Sequence, residues 1–149
     1  MSLADDAVEA RAQGWRTLAA LHARIEDKLQ RALEREHELS VSEYSVLDSL
    51  GRQDGYHLRM NQLANAVVLS QSATTRLVGR LEDRNLLQRY LCPDDRRGIY
   101  TEVTPAGREL LAAARPTHDA ALAEALDEAE ELPELAPLVA ALGSLTFAP

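Results

Sequence analysis

The residues best suited to chemistry in this chain lie in one run, Ser70-Gln71-Ser72-Ala73-Thr74-Thr75-Arg76. It carries four hydroxyl side chains, a glutamine amide and a guanidinium. Starting a helix uses one hydroxyl as its N-cap. The remainder are short donors and acceptors of the kind that pair with base edges: glutamine with adenine, arginine with guanine or a phosphate. A second run, Pro93-Asp94-Asp95-Arg96-Arg97-Gly98, sets two adjacent arginines on a Gly- and Pro-bearing turn. Arginines at such a tip suit a minor groove, whose narrow width concentrates negative potential. An aspartate beside them suits a bidentate brace for a guanidinium fork. The plainer readings are a capped helix start and a solvated turn with incidental ion pairs.

Positioning these groups takes a particular set of elements. Met60 to Val67 reads as a short helix with Leu63 and Val67 one turn apart, and Ala64 is small enough for a close crossing. Ser70 caps a second helix, which runs through Leu77, Val78 and Leu81 to about Arg84, and Asn85 suits a left-handed residue beyond its end. This is the layout of a helix-turn-helix. Its usual turn glycine falls at Val68, and a β-branched residue resists positive φ, so a turn of another type is expected. After Asn85 the period falls to two: Leu87, Arg89 and Leu91, then Ile99, Thr101 and Val103, flank the arginine tip as a hairpin. Helix, turn, helix and basic-tipped hairpin make a winged helix. Within it, Ser72, Thr75, Arg76 and Gln71 are placed to read bases. Ser70, Thr74, Arg80 and Arg59 are placed to hold phosphates, and Arg97 with Arg96 to enter the minor groove.

The flanks are helical. From about Ala7 to Glu38 a row of Trp15, Leu18, His22, Ile25, Leu29 and Leu33 follows helical spacing. Some 30 residues make a helix about 45 Å long, more than one small core needs, so part of its apolar stripe is expected against a second chain. Ser40-Val41-Ser42-Glu43 is a capping box with Leu39 and Tyr44 as its hydrophobic staple. The helix it opens ends at Gly51, read as a C-terminal glycine, and Arg52 to Tyr56 is a polar loop. Thr104-Pro105 restarts a helix as N-cap and first residue. That helix carries Leu110, Leu111, Leu122 and Leu126 and is expected to kink at Pro116. Pro133 and Pro137 bracket a last helix through Leu138, Leu142 and Leu145. The expected fold is mainly α with a small β-hairpin wing, in a single domain over 1–149. A winged helix-turn-helix at about 40–104 is flanked by helices at about 7–38 and 105–149.

The 149 residues are 46% apolar and 27% charged, the balance of a folded soluble chain. No run reaches the roughly 18 apolar residues of a membrane helix, and the acidic start is no secretory signal. Cys92 is the only cysteine, which excludes an internal disulfide and suits a reducing cytoplasm. His22, His37, His57 and His118 have no ligand-like spacing, so no metal and no cofactor are expected. Neither a Gly-rich phosphate loop nor a nucleophile with a base at recognisable spacing is present, so an enzyme is not expected. The formal charge is −8, yet Arg52 to Thr101 holds eight arginines against five acids. From His118 onward there are seven acids and no Lys or Arg. A polyanion would meet the middle third, with the acidic flanks turned away.

The chain resembles the MarR-type (multiple antibiotic resistance) transcriptional regulators. The resemblance rests on Leu39-Ser40 through Leu47, Leu63-Ala64, Leu69 through Val78, and Leu81-Glu82. It continues through Asp94-Asp95-Arg96-Arg97-Gly98 and Val103-Thr104-Pro105-Ala106-Gly107. The resemblance implies a homodimer with interlocked terminal helices, each winged domain reading half of a palindromic operator on double-stranded DNA. It also implies a repressor of the cytoplasm and nucleoid, released by a small aromatic or anionic effector. In the cleft where such an effector pocket would lie, Trp15, His22 and Tyr44 are candidates, with Arg16 or Arg24 for charge. Three positions depart from the family pattern: Asn85 stands for the usual glycine, Cys92 for a frequent acid, and no cysteine lies near the N-terminal helices, where the redox-sensing branch has one. The alternative reading is a winged-helix protein-interaction module without sequence-specific DNA binding.

Overall fold

The computed structural model describes residues 2–91 and 98–145. Its elements run α1 (Leu3–His37), α2 (Val41–Gly51), β1 (His57–Arg59), α3 (Met60–Val67), α4 (Gln71–Asp83), β2 (Leu87–Leu91), β3 (Ile99–Val103), α5 (Pro105–Glu130) and α6 (Ala136–Gly143). The chain divides into two compact units, Leu33–Thr117 and Met1–Ala32 with His118–Pro149.

In the unit Leu33–Thr117, local signals start most elements. Ser40 Oγ accepts the Glu43 amide at 3.0 Å, and the Glu43 carboxylate accepts the Ser40 amide at 2.9 Å, closing the capping box. Both staple residues, Leu39 and Tyr44, are buried. Thr104 Oγ1 accepts the Gly107 amide at 3.0 Å and donates to the Asn85 carbonyl at 2.7 Å, so it starts α5 and ties it to the end of the α4 region. The core joins Leu33, Leu39, Val46, Leu47 and Leu50 to Leu63, Val78, Leu81, Leu87, Val103 and Leu111.

Two glycines are explained by close approach. Gly51 is the last residue of α2, and the cap that follows, Arg52, is right-handed at φ −86°. The glycine is therefore not a left-handed terminator. A Cβ there would stand 2.5 Å from Leu111 Cδ2. At Gly107 a Cβ would collide with the Leu86 carbonyl oxygen.

The sheet has three strands, ordered β1-β3-β2 and antiparallel throughout. The hairpin β2–β3 follows the alternation, pairing Leu87 with Val103 and Leu91 with Ile99. Strand β1 was not expected. It is three residues long, too short for a period to show, and it is held by pairing with β3.

In the other unit, Leu21, Ala129 and Leu135 form the core with Ile25, Leu126, Leu132, Leu138 and Val139 around them. Ala121, Ala125 and Ala129 recur every four residues along α5 and are all buried. Lys28 joins α1 to α5 through Glu128 at 2.6 Å and Glu124 at 3.2 Å. These two carboxylates, Glu128 the stronger, hold its ammonium above the ordinary range. Helix α1 is 35 residues long, about 52 Å at 1.5 Å per residue. Its apolar row is only partly covered: Leu29 and Leu33 are buried, whereas Leu18 and His22 are exposed and Trp15 is 67% exposed. Helix α5 passes through Pro116 as one element. No helix among the described residues is long and apolar enough to cross a membrane.

Candidate nucleic-acid interface

Helices α3 and α4 bury Leu63 and Ala64 on one side, and Leu77, Val78 and Leu81 on the other. The turn between them differs from expectation. The Leu69 amide donates to the Ala64 carbonyl at 3.1 Å and the Val68 amide to the Asn65 carbonyl at 3.3 Å. That is a Schellman closure, which demands a left-handed residue in between. Val68 supplies it at φ 56°, ψ 48°. The hydrogen bonds of the turn outweigh the resistance of a β-branched residue. Asn85 takes the expected left-handed backbone at φ 59°.

Ser70 caps α4 by accepting the Ala73 amide at 3.2 Å, and its hydroxyl lies 3.3 Å from that of Ser72. Ser70, Gln71, Ser72, Thr75, Arg76 and Arg80 are all exposed. Thr75 Oγ1 donates to the Gln71 carbonyl at 2.8 Å, so its lone pairs remain free as acceptors. Thr74 leaves this set. It is fully buried and its hydroxyl donates to the Ser70 carbonyl at 2.9 Å, so no phosphate can reach it. The signal was present in the sequence, because Thr74 precedes Leu77, Val78 and Leu81 by three, four and seven residues, on the packed face.

Arg76 and Arg80 form no ion pair among the described residues. They edge a groove of about 900 Å³ between α4 and the start of α2, with Ser42, Glu43 and Asp83 also on its walls. Two pairings that the sequence does not reveal hold α4 in place. Arg84 donates to the Glu38 carbonyl at 2.7 Å and the His37 carbonyl at 3.4 Å, which fastens the end of α4 to the last turn of α1. Glu82 meets Arg89 at 2.7 Å, which fastens α4 to β2.

Arg59 ends β1 and is half-buried, its guanidinium 5.7 Å from the Tyr100 ring centre. It stands opposite Tyr100, which stands opposite Tyr90. The two tyrosines stack at 5.6 Å, and His57 meets Tyr100 edge-on at 4.9 Å. This row runs across all three strands and stiffens the sheet. Arg96 and Arg97, with Asp94, Asp95 and Cys92, lie outside the described residues.

The effector candidates are dispersed. Arg16 pairs with Glu9 at 2.8 Å and edges a shallow depression of about 260 Å³ with Gln13, Arg24 and Glu134. His22 pairs with Glu26 at 3.5 Å and edges a different, apolar depression of about 270 Å³ with Leu18, Ile25 and Leu142. Tyr44 is a core residue of the unit Leu33–Thr117, where it cannot offer its ring to a ligand without leaving that core. No group of three or more His, Cys, Asp or Glu among the described residues is placed to hold a metal ion.

Helix pair, exposed polar start of α4 and three-stranded sheet with its β2–β3 hairpin pairing together define a winged helix-turn-helix protein. Comparison with known proteins places it more closely. The MarR family model matches residues 37–98. The regulator MhqR of Bacillus subtilis is 28% identical over 114 residues, which is 76% of this chain and 77% of that protein. The crystal structure of AbsC, a MarR family transcriptional regulator from Streptomyces coelicolor, superposes with a TM-score of 0.74. It is 29% identical, and the superposition covers 87% of this chain and 86% of that one. The MarR family regulator Sco3205 from the same organism was solved in complex with DNA. It superposes at 0.71 with 28% identity, over 89% of this chain and 86% of that one. Over its winged-helix region the chain is similar to MarR family transcriptional regulators, among them one solved bound to DNA.

Proposed function

We propose that the protein is a homodimeric repressor of the cytoplasm and nucleoid, reading a palindromic operator with one α4 per half-site. The carrying observation is the start of α4. Five hydrogen-bonding side chains, Ser70, Gln71, Ser72, Thr75 and Arg76, are exposed there, while the opposite face of the same helix is sealed in the core. Gln71, Ser72, Thr75 and Arg76 read base edges. Ser70, Arg80 and Arg59 hold phosphates, and Arg96 and Arg97 enter the minor groove. The second copy covers the apolar side chains exposed on α1, on α6 and just beyond it, among them Trp15, Leu18, Leu142 and Leu145. A small aromatic or anionic molecule releases the DNA, a reading supported by family resemblance and tested by titrating aromatic carboxylates against the protein–operator complex. The activity is binding without turnover, in keeping with relatives that are regulators.

Selection of duplexes from a random-sequence library, followed by binding of Arg76→Ala, tests the readout. Loss of a bidentate contact weakens operator binding by about 1–3 kcal/mol and relaxes preference at one position per half-site. Equal losses on operator and random DNA would refute base reading by Arg76. No sequence-selective retention at all would leave the protein-interaction module as the surviving reading.

A further inference from the structure

Val68 is the one residue of the helix-turn-helix held at positive φ, and its side chain gains little packing inside the chain in return. The Schellman hydrogen bonds force it to φ 56°, where a β-branched side chain crowds its own backbone and glycine fits freely. Strain at a core position is offset by packing, but Val68 is 86% exposed. Its isopropyl group stands in water two residues before Ser70, the cap from which the hydrogen-bonding set of α4 begins. Asn65 before it and Ser70, Gln71 and Ser72 after it are exposed and polar, and the exposed Ala66 offers only a methyl group. An apolar knob held in an unfavourable conformation, beside side chains able to hydrogen-bond base edges, matches the one apolar feature of the major groove, the thymine C5 methyl.

We propose that Val68 is a specificity residue, its isopropyl group resting on a thymine methyl at the edge of each half-site. Gln71, Thr75 and Arg76 read donors and acceptors, and Val68 adds the contact that hydrogen bonds cannot make. The inference rests on the reading of α4 as the base-reading helix.

The test uses the full-length protein, the operator duplex enriched from a random library, and the same duplex with each thymine replaced singly by deoxyuridine. That exchange deletes the methyl group and keeps every hydrogen-bonding edge. Wild-type protein loses about fourfold in affinity at one thymine per half-site, the worth of one buried methyl group. Val68→Gly binds the thymine operator about fourfold more weakly per half-site and no longer distinguishes thymine from deoxyuridine there. Because glycine relieves the turn, the same variant melts at a higher temperature than wild type, so a weaker complex cannot be ascribed to unfolding. Full operator affinity in Val68→Gly, or undiminished discrimination by it between thymine and deoxyuridine, overturns the assignment of Val68 and leaves the reading of α4 standing. Failure of the wild-type protein to enrich any duplex overturns both.

Discussion

Thr74 shows how one side chain's role depends on the arc of the helix it occupies, successive residues being about 100° apart. It stands between Ala73 and Thr75 in a run rich in polar side chains, yet it alone of the run's hydroxyl residues is buried. Its hydroxyl donates to a carbonyl that its own amide already engages at 3.0 Å, so removing it orphans no acceptor. Thr74→Val therefore changes stability by no more than about 1 kcal/mol. Operator titrations over a range of salt concentration show an unchanged slope, where loss of a phosphate contact would reduce it by about 1. Arg84 is the opposite case. It lies in the basic stretch, but both its guanidinium bonds are spent on carbonyls 46 and 47 residues away. No spacing rule reaches that far.

At the scale of elements, what is written within four residues of an end was legible. The boxes and caps at Ser40, Ser70 and Thr104 formed as their hydroxyls suggest, because donor, acceptor and backbone all lie in one turn of chain. Ser40→Ala removes one half of the α2 box, which costs about 1 kcal/mol and lowers the melting temperature by about 2–4 °C. Thermal unfolding followed by circular dichroism checks it, and Ser40→Asp, an equally good cap, restores the value. Strand β1 was illegible for a physical reason. Three residues, His57 to Arg59, have no stable conformation of their own and become a strand only by borrowing the β3 edge. The left-handed Val68 was misjudged because local preference was weighed without the two turn hydrogen bonds that overrule it.

At the scale of the molecule, charge and apolar exposure are both segregated. The arginines gather in the middle third, while the acids dominate after His118, where Glu124 and Glu128 engage the only lysine in the chain. Leu18 and Leu142 edge the same apolar depression, on α1 and α6, and both are exposed. Placing charge on both, in Leu18→Glu with Leu142→Glu, shifts the protein from dimer to monomer in sedimentation and lowers operator affinity at least tenfold, since a half-site alone gives up half the contacts. A variant that remains dimeric with full affinity removes this surface from the interface. The amino-acid order by itself determined the capped helix starts, the helix-turn-helix spacing, the pairing of β2 with β3 and the polar face of α4, because each follows from forces acting between near neighbours. Only the tertiary structure decided that Thr74 turns inward, that Gly51 and Gly107 are there to admit Leu111 and the Leu86 carbonyl, and that Arg84 serves α1. Those outcomes depend on which distant surfaces meet, and contacts between remote segments leave no period in the chain.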